Sequence, residues 1–266
     1  MNSNHTMEKL YIIKIGGNIV DNPTLLTECL SAFSKLEGQA ILVHGGGKLA
    51  TSLAKDMGIE QTMVEGRRIT DEATLKIVTM VYAGAINKNI VAQLQSLGVN
   101  AMGLTGADGN LIQAHKRTGA SIDYGFVGDV DGVNTNLVKQ LLSNAIKLVV
   151  APITHDGNGQ LLNTNADTIA QSLATGMSTH YEVHLIYGFE REGVLSDVNN
   201  PDSVIAFIDR PAYGTLKEQK VIFEGMIPKI DNAYLALEGG VQSVIIGKAE
   251  KLNQLINGTA GTTIKI

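Results

Sequence analysis

The sequence contains a single cysteine, no tryptophan and five prolines in 266 residues. One thiol excludes an intramolecular disulfide framework and fits a reducing compartment. That cysteine, Cys29, falls among Leu25, Leu26, Leu30 and Phe33, a setting of helix core rather than of a reactive group. An excess of basic charge is missing too. A formal net charge of -5 argues against nucleic-acid binding through an overall field, so local groups must hold any anion. No apolar run approaches the ~20 residues that cross a bilayer. Residues 1–9 are polar, without the apolar core of a secretory signal. The expectation is a cytoplasmic protein with no membrane or nucleic-acid partner. Fixed-period repeats, low-complexity tracts and Pro/Ser-rich linkers are also absent.

Glycine is what the chain has in excess, 29 residues, clustered where apolar runs end. Short apolar runs (Leu10–Ile15, Ala40–Val43, Ala101–Leu104, Phe126–Val130, Lys147–Val150, Val183–Tyr187, Val244–Ile246, Thr263–Ile266) read as strands. Helical patterns lie between them, at Leu25–Leu36, Lys48–Met57, Leu137–Ser143, Ala166–Thr175 and Lys251–Leu255, and from about Arg210 and Met226, the last ending at Gly239. A long helix is predicted from Thr70 as N-cap to Gly98, with Leu75, Val78, Val81, Tyr82 and Ala85 on its apolar face. Such alternation predicts a three-layer αβα sandwich around a mainly parallel sheet. The pattern is divided into two lobes, 1–175 and 176–266.

Five segments could carry chemistry. Lys14-Ile15-Gly16-Gly17-Asn18 follows a strand directly, where open parallel sheets bind ligands. Its glycines let backbone N–H groups approach an anion, and its lysine adds a point charge. His44-Gly45-Gly46-Gly47-Lys48 closes a second strand before a helix. Three glycines exceed the needs of one tight turn and suit phosphate, while His44 reads as structural. Gly66-Arg67-Arg68-Ile69-Thr70 offers guanidinium forks for a carboxylate, or merely solvated arginines. Asn163-Thr164-Asn165-Ala166-Asp167 opens a helix, and capping explains at least one of its polar side chains. Glu224-Gly225-Met226-Ile227-Pro228-Lys229 places a lysine in a helix's first turn, against the dipole.

Other phosphate chemistries fit less well. G-x-x-x-x-G-K-[ST] is absent. Gly45-x-Gly47-x-x-Ala50 matches a relaxed dinucleotide fingerprint, but Glu65 does not close an apolar strand as that motif requires. Paired metal-type cysteines, H-E-x-x-H and a Ser-His-Asp order are absent. Two lysines, an aspartate and two glycine-rich strand ends point to phosphoryl transfer.

In this order, the segments resemble the N-acetylglutamate kinases of the amino-acid kinase family, over essentially the whole chain. The likeness rests on Lys14-Ile15-Gly16-Gly17, His44-Gly45-Gly46-Gly47, Gly66-x-Arg68-Ile69-Thr70-Asp71, Phe126-Val127-Gly128-Asp129, Asn163-x-Asn165-Ala166-Asp167 and Gly225-Met226-Ile227-x-Lys229. It implies ATP-dependent phosphorylation of the side-chain carboxylate of N-acetyl-L-glutamate or a close N-acyl-L-glutamate, early in arginine biosynthesis, with Mg2+ held mainly by the nucleotide phosphates. Lys14 and Lys229 would then hold the transferring phosphoryl group, Asp167 would position both, and Gly16, Gly17, Gly45 and Gly46 would donate N–H groups to it. Arg68 and Asn163 would hold the α-carboxylate. The first lobe would bind acylglutamate and make a dimer contact, and the second would bind ATP.

Two departures stand out. Leu185-Ile186-Tyr187-Gly188-Phe189-Glu190-Arg191-Glu192-Gly193-Val194-Leu195 replaces a usual Ser/Thr-Asp turn, so nucleotide contacts there are not assigned. Arg67 replaces an apolar neighbour of Arg68, and either favours a more acidic acyl group such as succinyl or points into water. Arginine-sensitive members of the family that the chain resembles carry an N-terminal helix that links dimers into hexamers. About nine polar residues precede the first strand here, too few for such a helix, so the resemblance implies a homodimer insensitive to arginine.

Overall fold

The computed structural model of the protein describes residues 7–64, 67–119, 121–222 and 226–266. Glu65, Gly66, Glu224 and Gly225 of the motifs lie outside the described residues.

The run Lys9–Ile15 forms a strand whose last six residues are all buried, as a strand covered on both faces requires. It pairs in parallel with Gln39–His44 on one side and Glu182–Phe189 on the other. Beyond Gln39–His44 come Lys147–Val150 and Ala101–Leu104, also parallel. Beyond Glu182–Phe189 come Ser243–Lys248 in parallel, then Thr262–Ile264 in antiparallel and Phe207–Ile208 at the edge. The result is one eight-stranded, mainly parallel sheet.

Strand alternation divides the core in two. Leu10 and Ile12 enter one cluster with Val43, Leu185 and Tyr187, under the helices Ala166–Met177 and Ile227–Glu238. Tyr11, Ile13 and Ile15 enter the other with Leu42, under the helix Pro23–Ser34 through Leu30 and Phe33. Cys29 lies in this second cluster, where burial pushes its thiol up to about 12. Ile12 and Ile13, both fully buried, are each worth about 2 kcal/mol in transfer terms. The three-layer expectation therefore holds. The expected lobe boundary near 175 falls inside the helix Ala166–Met177, and the sheet runs on across it.

Three local expectations need correction. The N-cap of the long helix is Asp71, whose side chain accepts from the Thr74 N–H at 2.8 Å. Thr70 is instead buried, with its hydroxyl donating to the Arg68 carbonyl at 3.1 Å. The helix is also not uniform. Glu72–Thr79 and Asn87–Ser96 are α-helical, but Met80–Ile86 between them is a π-helix. The wider turn shifts the phase by one residue, so Ile86 is buried while Ala85 is exposed. Finally, the strand expected at Phe126–Val130 runs from Gly128 to Val133 and leaves the parallel sheet. It joins Ile112–Lys116, Ile153–His155 and Leu161–Asn163 in a second, four-stranded sheet. These strands are short and rich in polar residues and glycine, which weakened their signal.

Candidate active site

Lys14 shares the parity of Leu10 and Ile12, so its side chain emerges on the face covered by the helices starting at Ala166 and Ile227. Both helices supply a partner. Lys14 Nζ lies 2.7 Å from Asp167 Oδ1, and Lys229 Nζ donates to Asp167 Oδ2 at 2.8 Å. The two ammonium groups thus each hold one oxygen of the same carboxylate. Asp167 is free for this role because Asn165 is the cap, its side chain accepting from the Asp167 N–H at 2.7 Å. Tyr187, level with Lys14 on the neighbouring strand, donates its hydroxyl to the Asp167 carbonyl at 3.4 Å.

Electrostatics follow from burial. Burial lowers Lys14 to about 8 against the attraction of Asp167, and the Lys229 charge pushes the same way. Burial alone would raise the Asp167 carboxyl, but the two ammonium groups outweigh it and hold it well below the usual carboxylate range. Two cations on one anion leave a net positive charge in a site that largely excludes water. That is a place for a phosphoryl group.

The two glycine loops meet beside this centre. Ile15 is level with His44 on the neighbouring strand, so both loops leave the sheet at the same edge. A Cβ on Gly45 would come 3.3 Å from the Gly17 nitrogen and cover its N–H. Gly46 has φ +153°, and a Cβ there would strike Ile86 Cδ1 at 2.1 Å. Among the described residues, the N–H groups of Gly16, Gly17 and Gly46 meet no acceptor. Gly45 does not belong with them, contrary to expectation. Its N–H donates to the Ile15 carbonyl at 2.9 Å, extending the sheet ladder, so it shapes the loop without offering a donor.

His44 is fully buried and lowered by burial to about 4. Its Nδ1 faces the Gly45 carbonyl at 2.9 Å, and its Nε2 accepts from the Asn87 amide, 3.2 Å away. Asn87 also donates to the Val149 carbonyl at 3.0 Å. A neutral, fully engaged imidazole of this kind anchors the loop, as the sequence reading expected.

Arg68 is 8% exposed, and its guanidinium is held by protein acceptors. Nη2 donates to the Gly47 carbonyl and to Thr51 Oγ1, both at 2.9 Å, and Nη1 donates to Gln61 Oε1. Asn163 Nδ2 donates to Thr70 Oγ1 at 3.0 Å, which brings Asn163 and Arg68 together through Thr70. Sequence reasoning missed Gln61, Thr51, Thr70 and Asn87 as supports. Thr51 alone left a signal, standing four residues after Gly47 on one helix face. Arg67 is exposed, beside an Asp129 carboxylate that is already bound by the Arg117 fork. A pocket of ≈ 520 Å³ adjoins Gly17 through Asp21 but is not lined by Lys14, Asp167 or Lys229. The charge constellation, rather than the cavity, marks the site.

A sequence profile described as the amino acid kinase family matches residues 9–248. The chain belongs to that family. Among amino acid kinases, an acetylglutamate kinase from Cytophaga hutchinsonii is 57% identical over 97% of this chain and 99% of its own length. Another from Parabacteroides distasonis is 55% identical over 93% of this chain and 97% of its own. Among solved structures, N-acetylglutamate synthase from Neisseria gonorrhoeae, complexed with coenzyme A and N-acetyl-glutamate, superposes with a TM-score of 0.81 at 21% identity. This chain spans 59% of that protein's length, and the likeness carries the amino acid kinase fold alone.

Proposed function

We propose that the protein transfers the γ-phosphoryl group of ATP to the side-chain carboxylate of N-acetyl-L-glutamate. The observation that carries this reading is one buried aspartate clamping two lysines at 2.7 and 2.8 Å beside two glycine loops. A carboxylate oxygen attacks the γ-phosphorus, the bond to the β–γ bridging oxygen breaks, and an acyl phosphate and ADP result. The nucleophile is already an anion, so no protein base is needed. Catalysis is positioning and charge neutralisation.

Lys14 meets the phosphoryl group from the sheet and Lys229 from the helix, with Asp167 fixing their separation. The N–H groups of Gly16, Gly17 and Gly46 point donors at its oxygens. Arg68 and Asn163 hold the α-carboxylate of the acceptor. Magnesium would enter as MgATP, held mainly by the nucleotide phosphates. Residues 1–175 would bind acylglutamate and carry the contact of a homodimer, 176–266 would bind the nucleotide, and the enzyme would work in the cytoplasm. Among the described residues no helix is long and apolar enough to cross a membrane.

A hydroxamate-trapping assay with MgATP and N-acetylglutamate, aspartate or carbamate tests the reading. Acyl phosphate from N-acetylglutamate is expected. Turnover of another acceptor in its place would overturn it.

A further inference from the structure

Asn18 follows the Gly16–Gly17 loop, and Glu190 follows the strand Glu182–Phe189. Neither has a part in the chemistry above. Both are exposed, yet Asn18 Nδ2 donates to Glu190 Oε1 at 2.7 Å across 172 residues of sequence. The two strands beneath are in register, Ile15 against Gly188. A Cβ on Gly188 would sit 3.4 Å from the Lys14 carbonyl and 3.2 Å from Ala249 Cβ, so the strand ends already approach closely there. The bond therefore joins the chain just past the ends of these two paired strands, three residues after Ile15 and two after Gly188.

We infer that Asn18 and Glu190 form a clasp that fixes the Gly16–Gly17 loop against the strand end of residues 182–189, and so sets the distance from the loop N–H groups to the incoming phosphoryl group. Both are positioning residues, and their effect on turnover rests on the reading of that loop as a phosphate cradle. The clasp needs one donor and one acceptor, and the carboxylate charge is incidental to it. A carboxylate placed there to hold a cation or to meet the nucleotide would depend on its charge. This difference makes the inference testable.

Four variants decide it: Glu190→Ala, Glu190→Gln, Asn18→Asp, and the exchange Asn18→Asp with Glu190→Gln. Loss of one hydrogen bond in Glu190→Ala should lower kcat about fivefold. Asn18→Asp sets two carboxylates face to face and should lower it about tenfold. Glu190→Gln keeps the acceptor, and the exchange restores a donor–acceptor pair with its sense reversed, so both should recover at least half of the wild-type kcat. KM values and the melting temperature should change little in all four. Hydrogen exchange on the ligand-free enzyme supplies a second readout. The amides of residues 19–21, which donate to the Gly16 and Gly17 carbonyls, should exchange faster in Glu190→Ala and Asn18→Asp, and at the wild-type rate in the exchange variant. An exchange variant as slow in turnover as Asn18→Asp, or a Glu190→Gln as impaired as Glu190→Ala, would overturn the clasp. A wild type that failed to phosphorylate N-acetylglutamate would sink the functional reading instead, leaving amide exchange to decide the clasp.

Discussion

Lys14 and Lys229 reach the same carboxylate from different kinds of structure. Lys14 is fixed by the sheet: its strand is flanked on both sides by parallel partners, and its side chain is 9% exposed. Lys229 stands in the first turn of a helix, where the dipole opposes its charge, with a side chain 18% exposed. Burial displaces the proton affinity of the first. The second has a full hydrogen bond to Asp167. One site thus combines a lysine whose backbone is paired on both sides with one that stands at a helix start, and the same aspartate holds both.

Removing the aspartate should damage both lysines at once and gives the largest expected effect. Asp167→Asn would leave two mostly buried ammonium groups without their counter-charge, a cost of about 3 kcal/mol or more. Urea unfolding measures it, and kcat should fall further than for either lysine variant. A loss under about 1 kcal/mol would place these pairs with ordinary surface salt bridges.

The lysine variants come next. Lys14→Ala and Lys229→Ala should each lower kcat about 100-fold, with smaller changes in KM, if both contacts strengthen as charge moves onto the leaving oxygen. The double variant should fall short of the product if the two act on one phosphoryl group. A kcat for Lys229→Ala within threefold of wild type would reduce that lysine to a surface residue.

pH separates the two lysines more finely. Lys14 loses its proton near 8, so kcat/KM for MgATP should decline as pH rises through that value. Bound phosphate favours the charged amine, so the same limb in kcat should lie higher. Stability has the opposite sense. Between about 8 and the ordinary lysine value of 10.5, the unfolded chain binds more protons at Lys14, so this residue makes the fold more stable as pH rises. Asp167 acts at the acid end. Its depressed carboxyl stabilises the fold above the ordinary carboxylate value of 3.8, and that contribution is lost as pH falls below it. An alkaline limb that persisted unchanged in Lys14→Arg would assign the titration elsewhere.

The smallest effect belongs to Arg68. Arg68→Lys keeps the charge but not the planar fork that grips Gly47, Thr51 and Gln61. KM for the acylglutamate should rise about tenfold while KM for ATP stays within twofold. Equal losses in both would refute an acceptor-side role.

The convergence of Lys14, Asp167 and Lys229 was foreseen through the family resemblance, and strand parity explains it. A lysine in register with buried Leu10 and Ile12 has to emerge under the helices that bring the other two. The fate of the Gly45 N–H was hidden, because a glycine that offers a donor and one that continues a ladder read alike in sequence. The Asn163–Thr70 bond was hidden for another reason. It joins residues 93 positions apart that each pair, by an isolated bridge, with the stretch 125–127, and single-residue pairing leaves no periodic signal. Thr70 looked like a cap because threonine caps well, but Asp71 took that place and left the Thr70 hydroxyl for the site.

The π-helical stretch Met80–Ile86 bears on which changes of length the long helix can survive. A helix that carries an extra residue in one wide turn can lose a residue there and keep both flanks facing inward. A deletion within Asn87–Ser96 has no such slack. It would turn every later position by about 100° and swing Leu94 away from the core it now fills.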